Sequence, residues 1–232
     1  MSLWQTPFLI SAYCGAFCLA DRVLTLTGLQ GVYYLLHALH NGVIVYLTAG
    51  DVWYSLTDFT TVGSTANNME ALRWVFALHF YHVLLYWRKF RFDDWLHHAL
   101  MIGVALPLGG LLPAGRLLGY SLFFTTGLPG GLDYLLLFLN RNNIIGREIE
   151  KWANGWLNVW VRSPGCTSHA ALTLAFLSTQ TAPDAMYWFG AFLTAVLNYW
   201  NGQYFMFQVV YDAGERHIYG SAGSGLPTQR VT

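Results

Sequence analysis

Charge is what this chain most conspicuously lacks: Asp, Glu, Lys and Arg make up 10% of its 232 residues, against roughly 25% in an ordinary soluble domain. That deficit excludes a water-solvated globule of ordinary composition. Twelve basic and twelve acidic residues cancel, so no net field recruits nucleic acid or an acidic partner, and neither is expected. Cysteine is scarce too. Cys14, Cys18 and Cys166 are odd in number, and the first two stand one helical turn apart in an apolar run, where thiols serve as packing. No Lys or Arg precedes the first apolar run, whereas a secretory signal peptide opens with a basic region. The first segment is therefore expected to persist as a helix.

What the chain has in abundance is apolar surface, with 55% hydrophobic and 17% aromatic residues. A bilayer core of about 30 Å takes about 20 apolar residues at 1.5 Å rise each. Seven runs of that order lie at 3–20, 31–50, 72–87, 95–112, 117–139, 152–181 and 186–211. They predict an all-α fold, a polytopic membrane bundle of about seven transmembrane helices with no soluble domain longer than a loop. The third run is short and is expected to extend into 68–73 or 88–90. The sixth carries Arg162 and Ser163-Pro164-Gly165, which should interrupt its hydrogen-bond ladder. Beyond Tyr211 the Gly- and Ser-rich tail, 212–232, reads as flexible.

Ionisable side chains inside apolar segments are costly, and each marks a candidate site. His37 and His40 are three apart in the second run, as are His79 and His82 in the third, so each pair shares one side of its helix. His97 and His98 open the fourth run directly after Asp93 and Asp94. Neighbouring residues on a helix point about 100° apart, so the two cannot face one ligand alike. Asp133 lies in the fifth run, Arg162 in the sixth, Asn198 and Asn201 in the seventh. Histidine serves as general base, nucleophile or metal ligand, and an acid within reach fixes its tautomer. The competing reading has Asp93 and Asp94 merely capping a helix N-terminus, and the histidines bonding neighbouring helices. Most of the ten tryptophans read as interface anchors.

The order of these features resembles the TLC domain family of ceramide synthases and related lipid proteins. An aromatic helix from Phe76 to Tyr86 is followed by a basic-acidic turn, the pair His97-His98, and a Gly/Pro-rich helix over 125–139. A helix ending at Arg162 and the run Leu197-Asn198-Tyr199-Trp200 complete the likeness, which covers about 31–211. It implies six helices around a membrane cavity, with residues 1–30 as a separate first helix and linker. It also implies histidine-dependent transfer of a fatty acyl group from acyl-coenzyme A as co-substrate, with no bound cofactor or metal. Carried over by position, His97, His98, Asp94 and Asp133 fall at the catalytic centre, and His79, His82, Arg162, Asn198 and Trp200 beside the substrate. The chain departs from the synthases at Met101, at the single acid Asp133, and at His82. The resemblance therefore implies a lipid-handling relative rather than ceramide synthesis itself.

Three function classes remain open to the sequence: lipid acyl transfer, lipid binding or trafficking without chemistry, and a histidine-ligated metal enzyme. Membrane lipids are the expected partners, with a homodimer or larger membrane complex as the expected assembly and the endoplasmic reticulum or another endomembrane as the location. Alternate loops collect nine basic residues (Arg22, Arg88, Lys89, Arg91, Arg141, Arg147, Lys151, Arg216 and Arg230) against Arg73 and Arg116 opposite. The positive-inside rule then turns the C-terminus to the cytosol. A C-terminal tag should be digested by protease added outside sealed microsomes; protection of the tag would contradict the orientation.

Overall fold

The structure, a computed structural model, describes residues 5–180 and 184–220, with side chains up to Gly214. It is 87% helical, with no strand among the described residues. Seven helices follow one another: α1 Gln5–Leu26, α2 Val32–Thr57, α3 Met69–Tyr86, α4 92–111, α5 Arg116–Arg141, α6 147–178 and α7 Ala185–Gly220. Two of them, α1 and α5, are by length and composition long and apolar enough to cross a membrane. All seven expected segments exist as helices. The third does extend backwards, to Met69, where Asn68 caps it by accepting the Ala71 N–H at 3.2 Å.

Several boundaries lie beyond those read from the apolar runs. Helix α1 continues six residues past Ala20 to Leu26, and α7 reaches Gly220, past the Tyr211 at which a flexible tail was expected to begin. The rest of that tail with Arg230, the Arg216 side chain, and the expected outer ends Leu3 and Thr181 lie outside the described residues.

At Pro164 the α-helical ladder is interrupted as expected, but by a π turn through which helix α6 continues unbroken. The arrangement recurs twice more: Pro107, Pro129 and Pro164 each stand two residues after a π turn, at Met101–Ala105, Phe123–Gly127 and Asn158–Arg162. A proline withholds its N–H and presses its ring against the carbonyl four residues back. Those carbonyls belong to Gly103, Thr125 and Trp160, each inside the wider turn. Widening moves the carbonyl clear, and the helix continues.

Helix α1 is strapped to α3 by polar clasps near both ends. Near one end the Tyr13 hydroxyl donates to Glu70 Oε1 at 2.5 Å and Arg73 pairs with Glu70 at 2.9 Å. Near the other, Tyr81 and Tyr86 both donate to Asp21 Oδ2, at 2.5 and 2.6 Å. Helix α2 lies along α5 closely enough that side chains are excluded at two levels. A Cβ on Gly119 would overlap the Asp51 carboxylate, and one on Gly130 would stand 2.9 Å from the Asn41 amide. Asp51 cannot retreat freely, because Asn68 Nδ2 holds its carboxylate at 2.8 Å. Gly119→Ala should therefore destabilise the fold by about 1–3 kcal/mol, seen as a lower thermal midpoint of the detergent-solubilised protein; an unchanged midpoint would show that the two helices separate at little cost.

Candidate functional site

Helices α2 to α7 enclose a cavity of 540 Å³, and α1 contributes nothing to its lining. Its walls change character along its length. At the end formed by the start of α2, the end of α3 and the start of α4, the lining includes Tyr33, His37, His79, His82, His97 and His98. Toward the other end it is Leu72, Leu106, Leu112, Leu117, Phe176 and Ala191. The nine residues that the resemblance places at the catalytic centre or beside the substrate, His97, His98, Asp94, Asp133, His79, His82, Arg162, Asn198 and Trp200, line this one space.

The histidines are oriented by their own helices. His37 Nδ1 lies 2.6 Å from the Tyr33 carbonyl, His79 Nδ1 2.8 Å from that of Val75, and His98 Nδ1 2.7 Å from that of Asp94. A carbonyl only accepts, so each Nδ1 carries the proton and each neutral ring keeps its lone pair on Nε2. For His98 that lone pair is already engaged, since Nε2 stands 3.3 Å from His82 Nδ1. His82 Nδ1 is then the donor, and the lone pair at the end of the chain is His82 Nε2, which is buried with no protein partner. The result is a short relay from the Asp94 carbonyl through His98 to His82. Aromatic rings hold it in place. His82 stacks on both His37 and Tyr33 at centroid distances of 4.1 and 4.9 Å, those two rings touching each other at 4.2 Å, and Phe90 stacks on His98 at 4.5 Å. His79 and His97 lie 5.4 Å apart beside them, with His97 open to the cavity.

Of the two readings of Asp94, the structure has the helix cap. The Asp94 carboxylate accepts the Arg91 N–H at 2.9 Å and so caps α4, while its backbone carbonyl, not its side chain, holds His98. Helical side chains tilt toward the N-terminus, away from the residue four positions on. Among the described residues Asp133 has no histidine partner; its Oδ1 is buried and unpaired. Among the described residues no acid lies within ion-pair distance of Arg162, and its guanidinium sits over the Phe205 ring at 4.8 Å.

On α7, Asn198 donates to the Ser121 hydroxyl at 2.7 Å, and Trp200 stacks on Tyr204 at 5.1 Å. His40 turns away from the cavity, bonding Asn41 and packing edge-on against Phe17. The sequence reading passed over His169, which is buried in the cavity wall with Nδ1 unpaired. Its spacing of seven from Arg162, two helical turns, was the available signal. Tyr33, Asn41 and Tyr134 were also missed, for aromatic and amide residues are common throughout these segments.

Among the described residues no group of three His, Cys, Asp or Glu side chains is arranged to hold a metal ion. Compared with protein-family models, with curated proteins and with solved structures, the chain matches none. The capping role of Asp94 makes a direct prediction. Asp94→Ala should cost about 0.5–2 kcal/mol of stability while the ¹⁵N shifts of His98 keep Nδ1 protonated; a switch to the Nε2–H tautomer would mean that the carboxylate, not the carbonyl, sets the ring.

Proposed function

We propose that this chain is a multi-pass membrane protein that takes a lipid or fatty acyl chain into the cavity between α2 and α7 and performs histidine-dependent acyl transfer there, in the manner of the TLC domain family. The observation that carries the reading is the grading of one cavity from a histidine-lined end to a leucine-lined end, with the His82–His98 relay at the polar end. An amphipathic ligand would present its head to the histidines and its tail to the leucines. The cavity volume lies within the roughly 300–1,000 Å³ of pockets that bury a single small molecule.

Membrane insertion is supported by the outer surface. In the apolar windows of α1 and α5 only 17% and 22% of residues are buried within the fold, whereas the core helix of a soluble protein would be mostly buried. Leu26, Tyr46 and Leu111 are among many large apolar side chains left outside, and exposed apolar surface on this scale marks a membrane or protein contact.

In the proposed reaction His82 Nε2 removes the proton from an acceptor hydroxyl or amine as that oxygen or nitrogen attacks the thioester carbonyl of acyl-coenzyme A. The thioester C–S bond breaks, the proton passes to the departing thiolate, and the products are an ester or amide and free coenzyme A. His98 holds His82 in the required tautomer and shares the positive charge. One observation favours the alternative of lipid binding or sensing without chemistry: His37, His79 and His98 each commit Nδ1 to a backbone carbonyl, as buried structural histidines do.

His82→Ala and His98→Ala decide between them. For an acyltransferase each variant should lower turnover about 10²–10⁴-fold with insertion, thermal midpoint and lipid occupancy retained. Wild-type protein that binds lipid but forms no product from any acyl-coenzyme A and acceptor, and variants whose occupancy falls, would establish the binding protein instead.

A further inference from the structure

Arg162 ends the π turn of α6 and projects into the cavity as its only basic residue of the Lys or Arg type among the described lining. It is 6% exposed, its Nε is buried without a partner, and among the described residues no carboxylate approaches within ion-pair distance. The Phe205 ring covers one face of the guanidinium and leaves its edge free. On the neighbouring helix α5, Gly130 leaves space beside the guanidinium, since a Cβ there would stand in van der Waals contact, 3.7 Å, with Arg162 Nη2. A buried guanidinium with no counter-charge is costly, and a planar fork of donors matches a carboxylate or a phosphate.

We infer that Arg162 anchors the anionic head of a single-chain amphiphile, a carboxylate or a phosphate, whose tail runs toward Leu72, Leu106 and Leu117. The inference rests on the cavity being a lipid site, as proposed above, and adds the class of head group it selects. Asp133, on the same wall with Oδ1 unpaired, limits the choice further. A doubly charged head would be repelled there; a singly charged carboxylate meets Arg162 alone, whereas a phosphate that keeps one proton also donates it to Oδ1. The histidine rings, locked as acceptors, then lie beside the head and not in competition with Arg162 for it.

The test compares heads on one tail. Full-length protein in neutral-lipid nanodiscs is titrated with hexadecanoate, hexadecyl phosphate and hexadecanol, with binding read by native mass spectrometry and competition. Wild-type protein should prefer at least one anionic head to the alcohol by about tenfold or more, and the preferred anion names the ligand as a carboxylate or a phosphate. Arg162→Gln should erase the preference by weakening only the anion, and Arg162→Lys should restore part of it. Equal binding of all three heads by wild type, or a preference that survives in Arg162→Gln, would overturn the anchor while leaving the cavity as a lipid site. If none of the three binds, the lipid reading of the cavity falls, and the anchor with it.

Discussion

A polar side chain on a helix whose outer face is apolar has to find its partners inside the bundle, and most of this architecture follows from that constraint. The outward positions are taken by residues such as Leu26 and Leu111, 87% and 81% exposed. The inward ones hold Asp21, His37, Asn41, Arg162 and His169, all buried. Where two helices meet face to face the polar groups are consumed: Asp21 by two tyrosines, Glu70 by Tyr13 and Arg73, Asp51 by Asn68. Where six helices stand around a space there are too few partners. His37 and His82 Nε2, Asp133 Oδ1, Arg162 Nε and His169 Nδ1 remain open. Satisfied polar groups mark the seam between α1 and α3, and several unsatisfied ones gather at the cavity.

The same helices that carry the histidines also aim them. A ring bonded to the carbonyl one turn earlier has lost both its tautomeric choice and much of its rotation, so a ligand entering the space meets preset acceptors. Pre-setting of this kind matters to catalysis, where a base must present its lone pair at the moment of proton transfer, and equally to binding, where ordering a side chain on arrival would cost affinity. The relay from Asp94 through His98 to His82 differs from a carboxylate-backed pair in one respect: a neutral carbonyl stands behind it. It orients the imidazole without supplying a full negative charge to the cation that forms.

The seven segments were legible because apolar runs are separated by clusters such as Arg88-Lys89 and Arg141–Arg147, and hydrophobic length is the strongest signal such a chain offers. Helix ends were less legible. Beyond Ala20 and Tyr211 the residues turn polar while the backbone stays helical, so composition stopped short of geometry. Pro164 was read as an interruption without the π turn that carries the helix on, because a single 3.6-residue period has no place for a wider turn. Placement of the candidate residues around one space followed from their polarity alone. Their pairings did not: whether Asp94 meets His98 by side chain or by carbonyl is a matter of direction within one helical turn, and Arg162 settling on Phe205 depends on a residue 43 positions away. His169 was overlooked because it sits alone among alanine, leucine and threonine.

The three π turns also bear on which changes in length the chain can absorb. Each holds one residue more than regular helical geometry needs, and each is tied to the proline two positions after it. Deleting a residue from an ordinary helical stretch rotates everything downstream by about 100° and turns the cavity face toward the outside. Deleting one from a π turn removes the surplus and returns the helix to its normal pitch, provided the proline is replaced as well. Helices α4, α5 and α6 therefore each contain one point at which the chain can shorten by a residue without losing register. Gains and losses of single residues in this fold are expected to collect at those three points, coupled to the presence of Pro107, Pro129 and Pro164.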